Sequence, residues 1–173
     1  MFRPYCRVGD YILNFLPLAH IFEFVFENAV LVGGAAMGYG NPRTISDRAM
    51  RNCKGDMREL RPMLLIGVPA VWETVKKGIV EEVQKLSSPK QAVFWGAMAL
   101  KSLLLKTGVP GVNALDAIVF SKIKELTGGR MRACMVGGGP ISRETHYFIS
   151  NTICPMIVGY GLTETSAYVH LFP

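Results

Sequence analysis

The sequence is poor in cysteine, and the thiols that it has stand far apart. It contains four cysteines in 173 residues, and no two of them form a CxxC pair: they are Cys6, Cys53, Cys134 and Cys154. This spacing indicates neither a zinc cluster nor a disulfide framework, and it favours a reducing compartment. The opening MFRPYCRVGD also lacks the apolar core region that an export signal needs.

Long uninterrupted apolar runs are missing as well. Residues 11–39 are interrupted by one histidine and two glutamates, and residues 92–105 form a short run that contains a lysine. Neither segment is therefore predicted to span a membrane, although peripheral membrane contact stays open.

Acidic side chains are fewer than basic ones. Lys plus Arg number 19 against 13 Asp plus Glu, which gives a net charge of +6. Such a balance favours anionic partners, among them nucleotides, phosphates and acidic membrane surfaces. The basic residues are scattered and form no aromatic–basic motif, so we expect no nucleic-acid partner.

The pattern of apolar runs predicts an α/β fold. Half of the residues are apolar and 18% are charged, which suits one globular domain. Apolar runs predict strands, and segments of helical period between them predict helices, an alternation typical of parallel sheets. The predicted strands are 11–16, 63–68, 131–136 and 156–158, and the predicted helices are 20–34, 69–86, 91–106, 113–127 and one beginning near 143.

Several details of these helices are also predicted. His20, Glu23 and Glu27 share one stripe of the first helix. Ser87, Ser88 and Pro89 end the second helix, and the third is apolar around most of its circumference, which indicates burial on several sides or an outside contact. Residues 38–61 are predicted to form an extended surface connection. The inward positions of the second and fourth helices are Trp72, Val75, Ile79, Val83 and Leu86, and Leu115, Ile118, Val119 and Ile123 after an Asn113 cap.

The segment VGYGLTET after the last predicted strand combines residue types that suit a nucleotide. Gly159 and Gly161 allow a ligand to approach the backbone, and Tyr160 offers a face for a nucleobase. The Thr163 hydroxyl can donate to a phosphate, and Glu164 could hold Mg²⁺ between itself and the phosphates. The alternative is a plain glycine turn that begins a helix.

Four segments together resemble one family. YGLTET, LPLAHIFE at 16–23, GVPAVWETV at 67–75 and VGGGPIS at 136–142 occur in the order found in the acyl-activating, adenylate-forming superfamily. The resemblance is particularly close to fungal long-chain fatty acyl-CoA synthetases. It implies part of the large N-terminal domain of such an enzyme, with a mostly parallel sheet and flanking helices. Residues 1–173 would form a single incomplete AMP-binding domain fragment without a separate C-terminal lid domain.

The resemblance also implies roles for individual residues. Thr163, Glu164 and His20 would be catalytic, with Glu164 coordinating Mg²⁺. His20 and Phe24 would lie at the acyl pocket, His20 near the carboxylate and Phe24 at an aromatic gate. The nucleotide would be bound by Gly137, Gly138, Gly139, Tyr160, Gly161 and Thr163.

The implied reaction joins a long-chain fatty acid to coenzyme A with ATP as co-substrate and Mg²⁺ as cofactor. The implied location is the cytosolic face of endoplasmic reticulum, peroxisome or lipid-droplet membranes, or the cytoplasm. The 173 residues contain no Pro-Lys-Gly phosphate loop, no ribose-binding Asp motif and no lid lysine, so we expect this polypeptide alone to be inactive. Two other readings stay open: a non-catalytic truncated or membrane-peripheral protein, and an unrelated α/β nucleotide-binding enzyme.

Overall fold

A mostly parallel sheet forms the centre of the molecule. The structure, a computed structural model, describes residues 6–47, 50–167 and, for the backbone alone, 170–172. Within them, the sheet has six strands: β1 (Tyr11–Asn14), β2 (Ala36–Tyr39), β3 (Leu64–Gly67), β4 (Ala133–Val136), β5 (Met156–Tyr160) and β6 (His170–Phe172). They lie in the order β2-β1-β3-β4-β5-β6, and all neighbours are parallel except β5 and β6. The predicted α/β fold is confirmed.

Helices cover both faces of this sheet. α1 (Ile21–Gly33) packs Phe26 and Val30 on one face, against side chains of β1, β3, β4 and β5. On the other face the core includes Trp72, Ile79 and Val83 of α3 (Pro69–Gln84), with side chains of α4 (Ser88–Thr107) and α7 (Arg143–Thr152). All four residues of β3 and of β4 are buried, as expected for strands covered on both sides. The other helices are α2 (Asp56–Leu60), α5 (Val112–Leu115) and α6 (Ser121–Glu125).

The predicted surface connection at 38–61 is wrong in two places. Its start belongs to β2, and α2 lies near its end. β2 pairs only with β1 and its residues are exposed or half-buried, so it lacks the continuous apolar run that marked the central strands. Gly38 is covered by Leu60 of α2, whose Cδ2 atom would lie 2.7 Å from an added β-carbon.

The predicted boundaries around α4 and α5 also need correction. Pro89 lies in the first turn of α4 rather than ending α3, a position where its missing N–H costs little. Gly111, not Asn113, caps α5. Ile118 is 80% exposed although Ile123 is buried. Ile118 lies within a π-helical turn at Asp116–Phe120, whose extra residue shifts which positions face inward.

Candidate functional site

The carboxyl ends of four neighbouring parallel strands meet at one edge of the sheet. β1 ends at Asn14, β3 at Gly67, β4 at Val136 and β5 at Tyr160. The register pairs Gly67 with Val136 and Val136 with Val158, so these ends are level. Open α/β sheets bind ligands in the crevice beyond such ends. The predicted site residues all lie at these ends or in the segments that follow them.

His20 caps the N-terminus of α1. Its backbone is extended, and its Nδ1 accepts a hydrogen bond of 3.2 Å from the Phe22 amide. The bond gives one free amide of the first helical turn a partner, and it leaves the proton of a neutral His20 ring on Nε2. His20 therefore precedes the helix, which corrects its predicted place on a helical stripe.

The three glycines at 137–139 bring the end of β4 close to α1. A β-carbon added to Gly137 would lie 3.0 Å from the ring atom Cζ of Phe22. Gly138 has a φ of 75°, which favours glycine, and a β-carbon there would lie 4.0 Å from Cε1 of His20. The structure thus places His20 beside the glycine loop. Two segments more than 100 residues apart in the sequence form one wall of the crevice.

The phenylalanines of α1 lie in different surroundings. Phe26 is buried, Phe22 is half-buried against the glycine loop, and Phe24 is 51% exposed. Of the three, Phe26 alone belongs to the buried core among the described residues. Phe24, the predicted acyl-pocket residue, lies one turn beyond His20, and its amide donates a 3.2 Å hydrogen bond to the His20 carbonyl.

The segment after β5 forms a tight turn held by its own hydrogen bonds. The Leu162 amide donates to Oγ1 of Thr165 at 3.1 Å, and that hydroxyl donates to the Leu162 carbonyl at 3.0 Å. A β-carbon on Gly161 would lie 2.1 Å from the carbonyl oxygen of Ala167, a distance that no side chain tolerates. Gly161 is therefore required by the turn itself, whatever it does for a ligand.

The turn leaves three predicted ligand-binding side chains accessible. Tyr160 is 55% exposed, and Thr163 and Glu164 are exposed. Within 6–47 and 50–167, no three His, Cys, Asp or Glu side chains converge on a possible metal position. Mg²⁺ usually takes one or two protein carboxylates and completes its shell with phosphate oxygens and water. Glu164 is one exposed carboxylate in this turn.

Glu23 is a buried carboxylate that the sequence analysis placed on a polar stripe. It is 1% exposed, and within the described residues neither carboxylate oxygen has a hydrogen-bond partner. Burial and, to a smaller extent, the charge of Glu27 raise its pKa to about 7, while the backbone of Leu16 acts in the opposite direction. A carboxyl group one turn from His20 is therefore ready to exchange a proton near neutral pH.

An apolar void lies between α1 and the sheet. Its volume is about 20 Å³, enough for a single water-sized sphere, and its lining is entirely apolar. It lies beneath Phe26 and is bounded by strands β3, β4 and β5. An acyl chain would have to displace α1 from the sheet to lie there. The lining residues are Phe26, Leu64, Leu65, Ile66, Ala133, Cys134, Met135 and Ile157.

A wider cavity of about 550 Å³ lies on the other side of the sheet. It is formed between α3, residues 42–47 and α2. Ile45, Met57 and Val75 contribute its apolar part, and Asp47 and Lys85 are among its polar residues. It has no glycine loop in its lining, in contrast to the crevice at the strand ends.

Comparison with known proteins identifies the family. The profile described as AMP-binding enzyme matches residues 2–173. The chain belongs to this family. It is 52% identical over 161 residues to long-chain-fatty-acid–CoA ligase 2 of Schizosaccharomyces pombe, covering 93% of this chain and 23% of that protein. It is 47% identical over 158 residues to long-chain-fatty-acid–CoA ligase 1 of Saccharomyces cerevisiae, covering 91% and 23%. The sequence resemblance is thereby confirmed, and this chain spans about a quarter of the length of these relatives.

Solved structures show the same fold. The adenylation domain of a carboxylate reductase from Mycobacterium chelonae aligns with a TM-score of 0.60 at 21% identity, covering 90% of this chain and 21% of that one. The N-terminal domain of FACL13 from Mycobacterium tuberculosis aligns with a TM-score of 0.56 at 15% identity, covering 96% and 31%. The chain therefore shares its fold with these two domains.

Proposed function

We propose that this AMP-binding chain is part of a long-chain fatty acid–CoA ligase that forms AMP and pyrophosphate. The observation that carries the proposal is the crevice at the strand ends, where His20 lies beside the glycine loop and the next strand ends in an exposed Tyr-Gly-Leu-Thr-Glu turn. The sequence of the chain is about 50% identical to two named long-chain-fatty-acid–CoA ligases. This similarity supports a long-chain fatty acid as the substrate.

The nucleotide would lie at the ends of β4 and β5. The Tyr160 ring offers its face to adenine, and residues 137–139 have no side chains to obstruct the base. The Thr163 hydroxyl would donate a hydrogen bond to a phosphate oxygen. A carboxylate at 164 would repel phosphates unless a cation lies between them, so Glu164 is assigned to Mg²⁺.

The acyl group would lie at the end of β1. The Nε2–H of His20 is a donor that is not used by the cap of α1, so it can hold the fatty carboxylate beside the glycine loop. Phe24 would form part of the mouth of the acyl pocket. The apolar layer between α1 and the sheet would receive the acyl chain as α1 separates from β3 and β4.

The proposed reaction has two steps. A carboxylate oxygen attacks the α-phosphorus of ATP and pyrophosphate leaves, which gives the acyl adenylate. The coenzyme A thiol then attacks the acyl carbon and AMP leaves, with loss of the thiol proton. Bound Mg²⁺ would neutralise charge on the phosphate oxygens. The residues of this chain orient the carboxylate through His20 and steady the phosphates through Thr163.

The first step is tested by fatty acid-dependent exchange of pyrophosphate into ATP by the intact protein. Glu164→Gln should lower exchange at least about tenfold and raise the Mg²⁺ concentration needed, since it weakens the metal position. Glu125→Gln is the matched control, because Glu125 is also exposed but lies in α6, before the start of β4. An unchanged Mg²⁺ dependence in the Glu164 variant would remove that residue from its role.

Turnover should require more than these residues. The relatives are about four times as long as the matched segment, and the phosphate-loop and lid-lysine motifs are outside these 173 residues. We therefore expect the 173-residue polypeptide alone to give no fatty acid-dependent exchange. Exchange by that polypeptide would contradict this expectation.

The proposal extends to location. A ligase for long-chain acids would act at the cytosolic face of endoplasmic reticulum, peroxisome or lipid-droplet membranes, where such acids partition. Peripheral contact is supported by exposed apolar side chains on α4, and among the described residues no helix is long and apolar enough to cross a bilayer.

A further inference from the structure

The motif GVPAVWETV at 67–75 lies directly behind the glycine loop, and no step of the proposed reaction uses it. A β-carbon added to Gly138 would lie 3.6 Å from Cγ1 of Val68, and one added to Gly139 would lie 3.6 Å from Cγ of Pro69. Val68 is the N-cap of α3 and Pro69 is its first residue. The glycine loop therefore rests on the start of α3.

α3 also holds the chain that leads into the glycine loop. The Trp72 ring is fully buried, and its Nε1–H donates a hydrogen bond of 3.3 Å to the carbonyl of Met135 in β4. The Gly137 amide donates to the Gly67 carbonyl at 3.3 Å, which extends the pairing of β4 with β3. The first end of the loop is thereby fixed by the sheet and by α3.

Two polar side chains of α3 hold the chain that follows the loop. Glu73 accepts a hydrogen bond of 3.2 Å from Oγ of Ser142, the N-cap of α7. Nζ of Lys76 lies 2.8 Å from a carboxylate oxygen of Glu144 and donates to Oγ1 of the buried Thr145 at 3.3 Å. Glu73 and Lys76 are three residues apart in one helix, so both lie on the side of α3 that meets the first turn of α7.

The stability of α7 does not account for these contacts. The N-terminus of a helix carries a partial positive charge, so a lysine beside it is unfavourable for the helix itself. Ser142 also caps α7 without help from α3, because its Oγ accepts from the Thr145 amide at 3.1 Å. The α3 side chains instead determine where this cap lies relative to the glycine loop.

A loop of glycines depends on such outside contacts. Glycine has more backbone freedom than any other residue and no side chain that could pack, so ordering the loop costs more conformational entropy. The loop binds a nucleotide tightly only if its ends already hold it in the bound conformation. Here β4 and Trp72 hold the first end, and Glu73 and Lys76 hold the second.

We propose that Glu73 and Lys76 are positioning residues for the nucleotide, which fix the glycine loop through the first turn of α7. This inference rests on the proposed function, because it takes the glycine loop as part of the ATP site. His20 belongs to the cap of α1, which covers the opposite face of the sheet from α3. Loss of the α3 contacts should therefore affect ATP more than the fatty acid.

The test compares the intact native protein with the double variant Glu73→Ala, Lys76→Met. Equilibrium binding should show that the dissociation constant for ATP rises at least about tenfold. KM for the fatty acid in pyrophosphate exchange should change less than about threefold, and the urea midpoint should stay close to the native one, since exposed ion pairs contribute little to stability.

Conservative variants and a control on the same helix complete the test. Glu73→Gln keeps an acceptor for Ser142 and Lys76→Arg keeps donors for Glu144, so both should retain nearly native ATP affinity. Lys77→Met should leave ATP affinity unchanged, because Lys77 is exposed on α3 and, among residues 6–47 and 50–167, forms no hydrogen bond or ion pair with α7.

Hydrogen exchange reports the α3 contacts without any nucleotide. The amides of Thr145 and His146 donate to Oγ and to the carbonyl of Ser142, at 3.1 and 3.0 Å. Both amides should exchange at least about threefold faster in the double variant, while those of α4 keep their native rates. Native rates at both positions would overturn the proposal.

The outcomes separate this inference from the proposed function. Native ATP affinity in the double variant would overturn the positioning role alone. Equal losses of ATP and fatty acid affinity with a lower urea midpoint would overturn it as well, because they indicate general destabilisation. A native protein that binds ATP without fatty acid-dependent exchange would overturn the ligase proposal, and the ATP affinities of the variants would still decide the positioning role. A native protein that does not bind ATP would overturn both.

Discussion

Gly161 is the position of the candidate site that tolerates a side chain least. Gly161→Ala would place a methyl group against the Ala167 carbonyl, and the turn that presents Thr163 and Glu164 would have to open. We expect ATP affinity of the intact protein to fall at least about tenfold, with little loss of thermal stability, because the turn is exposed. Equilibrium binding of ATP measures this.

Gly78→Ala supplies the control for that change. Gly78 lies within α3, and an added β-carbon there has no neighbour within 4 Å. Alanine should stabilise the helix by about 0.5–1 kcal/mol and leave ATP binding unchanged. Equal ATP affinities for the Gly161 variant and the native protein would show that the turn does not contact the nucleotide.

Glu23 makes folding stability depend on pH. Its pKa of about 7 in the folded protein lies above the ordinary 4.5, so the unfolded chain releases the proton first as pH rises. Stability is therefore lost between these two values, and the full shift corresponds to about 3 kcal/mol. Glu23→Gln removes this dependence, and its advantage over the native protein should grow by about 2 kcal/mol between about pH 5 and pH 8.

Urea unfolding at several pH values measures that difference. Glu125→Gln is the control, since an exposed glutamate should give a difference that does not change with pH. If the free energies of unfolding of the Glu23 variant and the native protein differed by the same amount at every pH, the Glu23 carboxyl would have an ordinary pKa.

Residue types suggested the candidate site, but they did not show the surroundings of each side chain. Glycine, tyrosine, threonine and glutamate after a strand suggested a nucleotide turn because each type has its own chemistry. The cap made by His20 and the burial of Glu23 could not be predicted. A helical period of 3.6 places both on a polar stripe, and only packing against the sheet decides which polar residue is covered.

At the scale of elements, α4 is joined to the π-helical turn by a buried ion pair. Lys101 is 4% exposed and pairs with Asp116, which also accepts from Nζ of Lys124 at 2.7 Å. Burial lowers the pKa of Lys101, while Asp116 opposes that shift. The Lys101 ammonium also lies 5.2 Å from the centre of the Phe120 ring.

The two single substitutions in the Lys101–Asp116 ion pair should lower the free energy of unfolding by different amounts. Asp116→Asn leaves a buried ammonium with weaker compensation and should lower the free energy of unfolding by about 3 kcal/mol. Lys101→Met fills similar space without charge and should be nearly neutral, because Asp116 keeps Lys124. Urea unfolding compares the two variants. Equal losses of unfolding free energy would show that the burial of the Lys101 ammonium does not determine the effect of each substitution.

Elements differed in how far the sequence predicted them. β3 and β4 were found because strands covered on both faces are continuously apolar. β2 was missed because an edge strand with one neighbour needs no such run. The predicted inward orientation of Ile118 was wrong because this residue lies within a π-helical turn, where the spacing of inward positions differs from that of an α-helix, and no local residue type marks that turn.

At the scale of the whole molecule, parallel pairing brings the predicted segments together. His20 follows β1 and the glycine loop follows β4, yet the two loops meet because β1, β3 and β4 are neighbours. The order of strands could not be predicted from the runs themselves, since any parallel order satisfies the same pattern. The family resemblance predicted the order of the motifs along the sequence. The strand order of the sheet then explains why they lie close together in space.

The most direct test of this account is a crystal structure of the intact protein with a non-hydrolysable acyl-adenylate analogue and Mg²⁺. The account predicts adenine against the Tyr160 ring and residues 137–139, the metal beside Glu164, and the acyl carbonyl within hydrogen-bond reach of His20 Nε2. An analogue bound away from the strand ends, for instance in the cavity between α3 and residues 42–47, would contradict it.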